Sequence, residues 1–160
     1  HIGEGSELEK LRKLSSKLGL TGKITWKGAQ SQKGVFDAYE NSDLFIMPSI
    51  IATDGDRDGL PNVLMEAASK KVCCIATDLP GITEFIRHDD TGWIVPSKNS
   101  RELTRSIISL SQDPAKRVRL AESANKLLVR HFSHSENVQY IIELLKSDLD
   151  TNEDVIQDSI

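Results

Sequence analysis

Between positions 54 and 66 the chain gathers the residue types that could do chemistry. Asp54, Asp56 and Asp58 alternate with other residues, Gly59-Leu60-Pro61-Asn62 follows, and Glu66 is the one carboxylate in the apolar run after it. Three outcomes are open: the stretch holds a cation, it holds a phosphate, or it is a solvated acidic loop that holds nothing. A calcium loop of the EF-hand type needs Asp-x-Asp-x-Asp-Gly, then five residues, then a bidentate glutamate. Asp54, Asp56, Asp58 and Gly59 meet the first half, but the closing position holds Met65 and Glu66 comes one residue late. One residue turns a helix by about 100°, so that carboxylate would point away from the ion. A strand also precedes the loop where an EF-hand needs a helix.

A phosphate fits the pattern better. Gly59 allows close approach to the backbone, and Pro61 suits the first turn of a helix. The amides of Leu60, Asn62 and Val63 would then sit at a helix start without intrahelical partners, where the dipole favours an anion. Glu66, within two turns of that end, could accept hydrogen bonds from a sugar diol next to a bound diphosphate. Asp58 could face the sugar. No metal is expected.

Such a site needs a frame, and the surrounding pattern supplies one. Leu8, Leu11, Leu14 and Leu18 recur at helical spacing, with Ser6 and Glu9 as a capping box and Gly19 as the stop. "KITWKG" reads as a short strand, "KGVFDAYENS" as an amphipathic helix, and "DLFIMPS" as a strand buried on both faces. A helix from Pro61 to about Ser69 follows, then the buried strand "VCCIATD", the short helix "PGITEFIR", and a turn and strand in "DDTGWIVP". Helices are expected at about 100–111, at about 114–130 with Asp113 as cap and Pro114 at its first position, and at about 134–148 with Ser133 and Glu136 as a second capping box. Strands alternating with helices predict an α/β fold, a Rossmann-like doubly wound parallel sheet, which takes ligands at the carboxyl ends of its strands. Two loops leave such ends, 49–61 and 78–81.

The 160 residues suffice for one domain with a core, and a net charge of -4 speaks against nucleic acid as the main partner. Adjacent Cys73 and Cys74 point to core packing in a reducing, cytoplasmic setting rather than to a disulfide framework. No apolar run is long enough to span a bilayer. Trp26 and Trp93 are expected in strands and in the core. His88, His131 and His134 have no triad spacing with a serine or carboxylate and read as surface or cap residues. Arg119, Lys126 and Arg130 share a helix face, by default solvated, with a peripheral contact to anionic lipid headgroups as the other option.

The stretch "DGLPNVLMEA" resembles the signature of the family-4 glycosyltransferases, retaining enzymes of GT-B fold, whose usual pattern is Glu-Gly-x-Pro-x-x-x-x-Glu-Ala. "GEGSELEKLRKLSSKLGLTGKITWKG" and "IATDLPGITEFIRHDDTGWIVP" resemble the family's flanking stretches, so the likeness runs over roughly residues 1 to 140 and is greatest to the branch that builds exopolysaccharides. The resemblance implies a C-terminal donor-binding domain over 1–147, truncated at its N-terminus, and an acidic tail over 148–160. Asp58, where the family usually has Glu, would contact the donor sugar as the catalytic acid position. Glu66 would hold the ribose, and Gly59, Leu60, Asn62 and Val63 the pyrophosphate. Gly28 and Ala29 would lie near the base, and Gly81 would shape the sugar pocket. A nucleotide diphosphate sugar would be the substrate, with no cofactor, and a glycan or lipid-linked acceptor would bind through an upstream domain that also holds a basic pair for the diphosphate. The reaction would run in the cytoplasm, at the inner face of the membrane. Lys71 stands where the family usually has glycine and Cys73 where it has proline. Two other readings remain: a non-catalytic nucleotide-sugar-binding module, and another GT-B enzyme such as a sugar-nucleotide epimerase.

Overall fold

The computed structural model describes residues 1–51 and 60–131. Asp54, Asp56, Asp58 and Gly59 lie outside the described residues, as do the helix expected at 134–148, its capping box Ser133 and Glu136, His134 and the acidic tail. The chain forms two compact units, His1–Ser42 and Asp43 onward.

In the first unit, α1 spans Leu8–Lys17 and α2 spans Gln32–Glu40. The leucine spacing gives α1 as expected. Gly19, at φ +69, ends it in a Schellman motif: its amide donates to Ser16 O and that of Leu20 to Ser15 O. The capping box does not form. Glu7 occupies the cap position without a side-chain cap bond, and Glu7 and Glu9 pair instead with Lys10 and Lys13, each at 2.8 Å. Exposed acids one turn from lysines have this alternative close at hand. For α2, the Ser31 hydroxyl accepts from the Gly34 amide and starts the helix.

The strand expected in "KITWKG" is not a regular strand. Residues 25–28 run beside His1–Gly3, joined by Lys27 N to His1 O, Gly3 N to Gly28 O and the amino terminus to Thr25 O, each at 2.9 Å. The pairing slips at Gly28, whose φ of +64° turns the chain away. Trp26 is accordingly not core: it is half-exposed, with the Arg12 guanidinium 5.9 Å from its ring.

The second unit carries a parallel sheet in the order β1 (Leu44–Met47), β2 (Cys73–Thr77), β3 (Trp93–Val95). Leu44 pairs with Cys73 and Met47 with Ala76, while Ile75 pairs with Trp93 and Thr77 with Val95. Between the strands run α3 (Asn62–Ser69) and α4 (Pro80–Thr83), and after them α5 (Ser100–Ser111) and α6 (Pro114–His131). All five β2 residues are buried, as the continuous apolar run requires of a central strand. Alternation sends Cys73 and Ile75 to one face, where they join Val95, Leu110, Leu120 and Ala121. β1 was expected to be buried on both faces and is only half-buried throughout. It is the edge of the sheet among the described residues, and its apolar run alone could not tell edge from centre.

The Asp113 cap forms as expected, its Oδ1 accepting from Lys116 N at 2.9 Å, and α5 has a cap that was not expected, Asn99 Oδ1 accepting from Glu102 N at 3.0 Å. Trp93 packs against the core cluster and donates Nε1–H to Ser106 Oγ at 3.0 Å. Arg119 is not a free cation. It reaches Asp89 Oδ1 at 2.6 Å and Asp89 O at 2.9 Å, so the lipid-facing cluster loses one of its three members to an intramolecular clasp. The Arg119 hydrogen bond, with that of Lys116, holds the Asp89 carboxyl below its ordinary value.

The end of α3 explains the residue that departs from the family pattern. Lys71 N donates to Ala68 O and Val72 N to Ala67 O, each at 3.0 Å. This is the same Schellman motif that Gly19 makes, with Lys71 held at φ 53°. A side chain in that conformation costs about 1 kcal/mol. Lys71→Gly is therefore expected to raise the urea midpoint, by the equivalent of about 0.5–1 kcal/mol.

Candidate functional site

Parallel strands bring their carboxyl ends to one edge of the sheet, and α3 leads from the end of β1 back to the start of β2. Its N-terminus therefore lies at the carboxyl edge, where an open α/β sheet takes its ligands. Pro61 sits just ahead of the helix at φ −70°, ψ 126°, one residue outside the expected first turn, and is itself buried. The first helical bond, Leu64 N to Pro61 O, is 3.0 Å.

Burial divides α3 into two faces. Leu64, Ala67 and Ala68 are fully buried and fix the helix on the sheet. Asn62 is exposed and Glu66 half-exposed. Four residues apart, the two stand one above the other on the same face. Leu60 is half-buried just before the helix. Val63, also half-buried, has an interaction of its own, and the amides of Leu60 and Asn62 stand ahead of it at the helix start. Glu66 thus stands one turn up the helix from an anion-favouring end, with no cation or donor on its carboxylate among the described residues.

Gly81 lies in the first turn of α4, four residues past the end of β2. Since β1 and β2 are paired neighbours, the loops carrying Gly81 and the start of α3 leave adjacent points of the same edge. Gly28 and Ala29 belong to the first unit. There the Ala29 amide faces Glu4 Oε1 at 3.4 Å. Sequence reasoning passed over Glu4, whose only signal was its place between Gly3 and Gly5.

Other polar groups at the carboxyl edge were also missed. The Thr77 hydroxyl donates to Ser49 O at 2.8 Å, and Ser97 Oγ lies 3.4 Å from the same carbonyl. Asp78 Oδ1 accepts from Ser97 N at 2.7 Å. A cavity of ≈ 200 Å³ opens here between Pro48, Ile50, Thr77 and Leu103.

Nucleophilic chemistry by the cysteines does not fit. Both are free and buried. Burial pushes the Cys73 thiol up to about 11, against a smaller opposing pull from Arg117, and drives Cys74 higher still. Neither is a thiolate near neutral pH. Among the described residues no three acids, histidines or cysteines cluster to hold a metal, and no helix is long and apolar enough to cross a membrane.

The structure is similar to that of Anabaena HepE solved with UDP-glucose, at a TM-score of 0.79 and 22% identity, over 91% of this chain and 40% of that one. That likeness shows the fold, the Rossmann-like α/β architecture of GT-B glycosyltransferases. Among curated relatives, the amylovoran biosynthesis glycosyltransferase AmsK of Erwinia amylovora is 29% identical over 119 residues, 74% of this chain and 29% of its own length. The lipopolysaccharide core biosynthesis glycosyltransferase LpsE of Rhizobium meliloti is 29% identical over 146 residues, 91% of this chain and 41% of its own length. The chain thus spans well under half the length of the relatives it matches. The family model of the glycosyl transferases group 1 matches residues 2–127, and with that match over most of its length the chain belongs to this family.

Proposed function

We propose that residues 1–147 are the C-terminal, donor-binding domain of a retaining family-4 glycosyltransferase, with 148–160 as an acidic tail. The enzyme moves a sugar from a nucleotide diphosphate sugar to a glycan or lipid-linked acceptor. The observation that carries this reading is α3: a helix seated on the carboxyl edge by Leu64, Ala67 and Ala68, with Asn62 and Glu66 on its outward face, in a chain of the glycosyl transferases group 1 family.

In this scheme the amides of Gly59, Leu60, Asn62 and Val63 receive the diphosphate and Glu66 accepts from the ribose hydroxyls. Asp58 faces the sugar near the reacting carbon, and Gly81 leaves room for it. Gly28 and Ala29 meet the base. As the bond to the anomeric carbon breaks, negative charge grows on the diphosphate. Preorganised amides and a basic pair in the longer enzyme stabilise that charge without having to reorganise. The carboxylates need not act as the acid and base of a glycosidase, and the scheme uses no metal. The acceptor and the membrane-side location belong to the longer enzyme. Two free cysteines suit the reducing cytoplasm.

Ligand-observed NMR with a pool of UDP, GDP and ADP tests the assignment, first with EDTA and then with calcium. One nucleotide is expected to bind equally with and without the chelator. Calcium binding with no nucleotide signal would return the acidic stretch to a cation site and sink the donor reading.

A further inference from the structure

We propose that Thr77 is a positioning residue for the donor sugar: its hydroxyl latches the loop after β1 to the loop after β2. The proposal rests on the donor-site reading given above.

Thr77 is the last residue of β2 and only 3% exposed. The β1–β2 ladder ends at Met47 and Ala76, so Ser49 lies beyond it, and the 2.8 Å bond from Thr77 Oγ1 to Ser49 O carries the pairing two residues further by a side chain. Ser97 Oγ adds a longer bond to the same carbonyl. The other end of the latch is equally constrained. Directly after Thr77, Asp78 N donates to Val95 O at 3.1 Å, Asp78 Oδ1 accepts from Ser97 N, and Leu79 N folds back onto Thr77 O at 2.8 Å. The chain then enters α4 and Gly81. One buried hydroxyl therefore ties Ser49, on the way to the proposed acidic loop, to the short segment that presents Gly81.

The latch acts on only part of the proposed site. α3 is anchored by its own buried face, Leu64, Ala67 and Ala68, so Asn62 and Glu66 keep their place without Thr77. Ser49, beyond the end of the ladder, is instead held to the end of β2 by the Thr77 and Ser97 hydroxyls. Thr77 should thus matter for a nucleotide sugar and hardly at all for the nucleotide diphosphate alone. A residue that merely stabilised the fold would affect both alike.

The test uses the full chain, as wild type, Thr77→Val and Thr77→Ser, titrated with UDP and UDP-glucose and with GDP and GDP-mannose. Valine keeps the β-branched shape that suits a strand and removes only the hydroxyl. It is expected to weaken the nucleotide sugar by about tenfold, as a small misplacement of a bound group can. The nucleotide diphosphate should change less than about twofold, and serine should restore wild-type values. Amide exchange should quicken at Ile50 and Ile51 and stay unchanged at Ala67 and Ala68. Parallel losses for both ligands, or unchanged exchange at Ile50 and Ile51, would overturn the latch. If Thr77→Val does not fold, Ser97→Ala removes the longer bond and should shift the same ratio in the same direction, though less; no shift would overturn the proposal. A wild-type chain that binds none of the four ligands, nor ADP, would overturn the donor reading, a distinct result from binding whose ratio ignores Thr77.

Discussion

Glu66→Ala is expected to weaken nucleotide binding by about 30- to 100-fold and to leave the fold intact. Each hydrogen bond between a ribose hydroxyl and a carboxylate contributes roughly 1.5–3 kcal/mol when one partner is charged. Glu66 is half-exposed, so water screens part of this, and a total of about 2–2.8 kcal/mol for the pair converts to the stated range. The fold has little to lose, since the buried face of α3 is Leu64, Ala67 and Ala68; a change on the outward face usually stays within about 0.5 kcal/mol. Two controls isolate the role. Asn62→Ala, on the same face, should cost less than about twofold, because the proposed donor there is the backbone amide, which alanine retains. A 2′,3′-dideoxy nucleotide should bind the wild type about as weakly as the normal one binds Glu66→Ala, and should bind the variant no worse. If the variant kept full affinity, Glu66 would not hold the ribose, and with it would go the main support for a donor site on α3.

Much of the frame behind this prediction was legible because its signals are local. The leucine spacing of α1, the glycine at its end, the cap Asp113 and the apolar run of β2 each need only neighbours in sequence, and each is present in the structure. The misses arise where several local partners compete or where the outcome depends on what lies across space. Ser6 and Glu9 had the spacing of a capping box, but the first turn found lysines for Glu7 and Glu9 instead. "DLFIMPS" and "VCCIATD" look alike as apolar runs, yet one is a half-buried edge and the other the buried centre. Trp26 had the composition of a core residue and lies half-exposed beside Arg12. At the candidate site, the spacing of Asn62 and Glu66 was readable as one helix face. The bond from Thr77 to Ser49, 28 residues apart in the chain, was not, because a hydroxyl at a strand end has many partners within reach and only the sheet order selects one. Lys71 lies between these cases. The resemblance marks its slot as a glycine position, and its φ of 53° gives the physical reason.

Gly92→Ala is expected to cost about 2–3 kcal/mol, a large share of a domain's stability, and Gly92→Val to prevent folding. Gly92 closes the turn in "DDTGWIVP" just before β3, and its backbone is in no conformation reserved for glycine. The constraint is space. A Cβ there would come within 2.8 Å of Ile86 Cγ2 and 3.0 Å of Cys74 O. Neither neighbour can give way cheaply: Ile86 is 0% exposed, and Cys74 lies in β2, the centre of the sheet. The turn is held on both sides as well. Asp89 N donates to Gly92 O at 2.9 Å, and the buried Thr91 hydroxyl accepts from Arg87 N and donates to Phe85 O. A shift of Gly92 would break these bonds along with the pairing of Trp93 to Ile75. Gly5→Ala is the matched control. Nothing lies within 4 Å of a Cβ at Gly5 and its φ is ordinary, so that change should stay within about 0.5 kcal/mol. Urea unfolding of the three variants against wild type measures the contrast. Equal midpoints for Gly92→Ala and Gly5→Ala would mean that Ile86 can move aside, and the turn would then not be what holds β3 against β2.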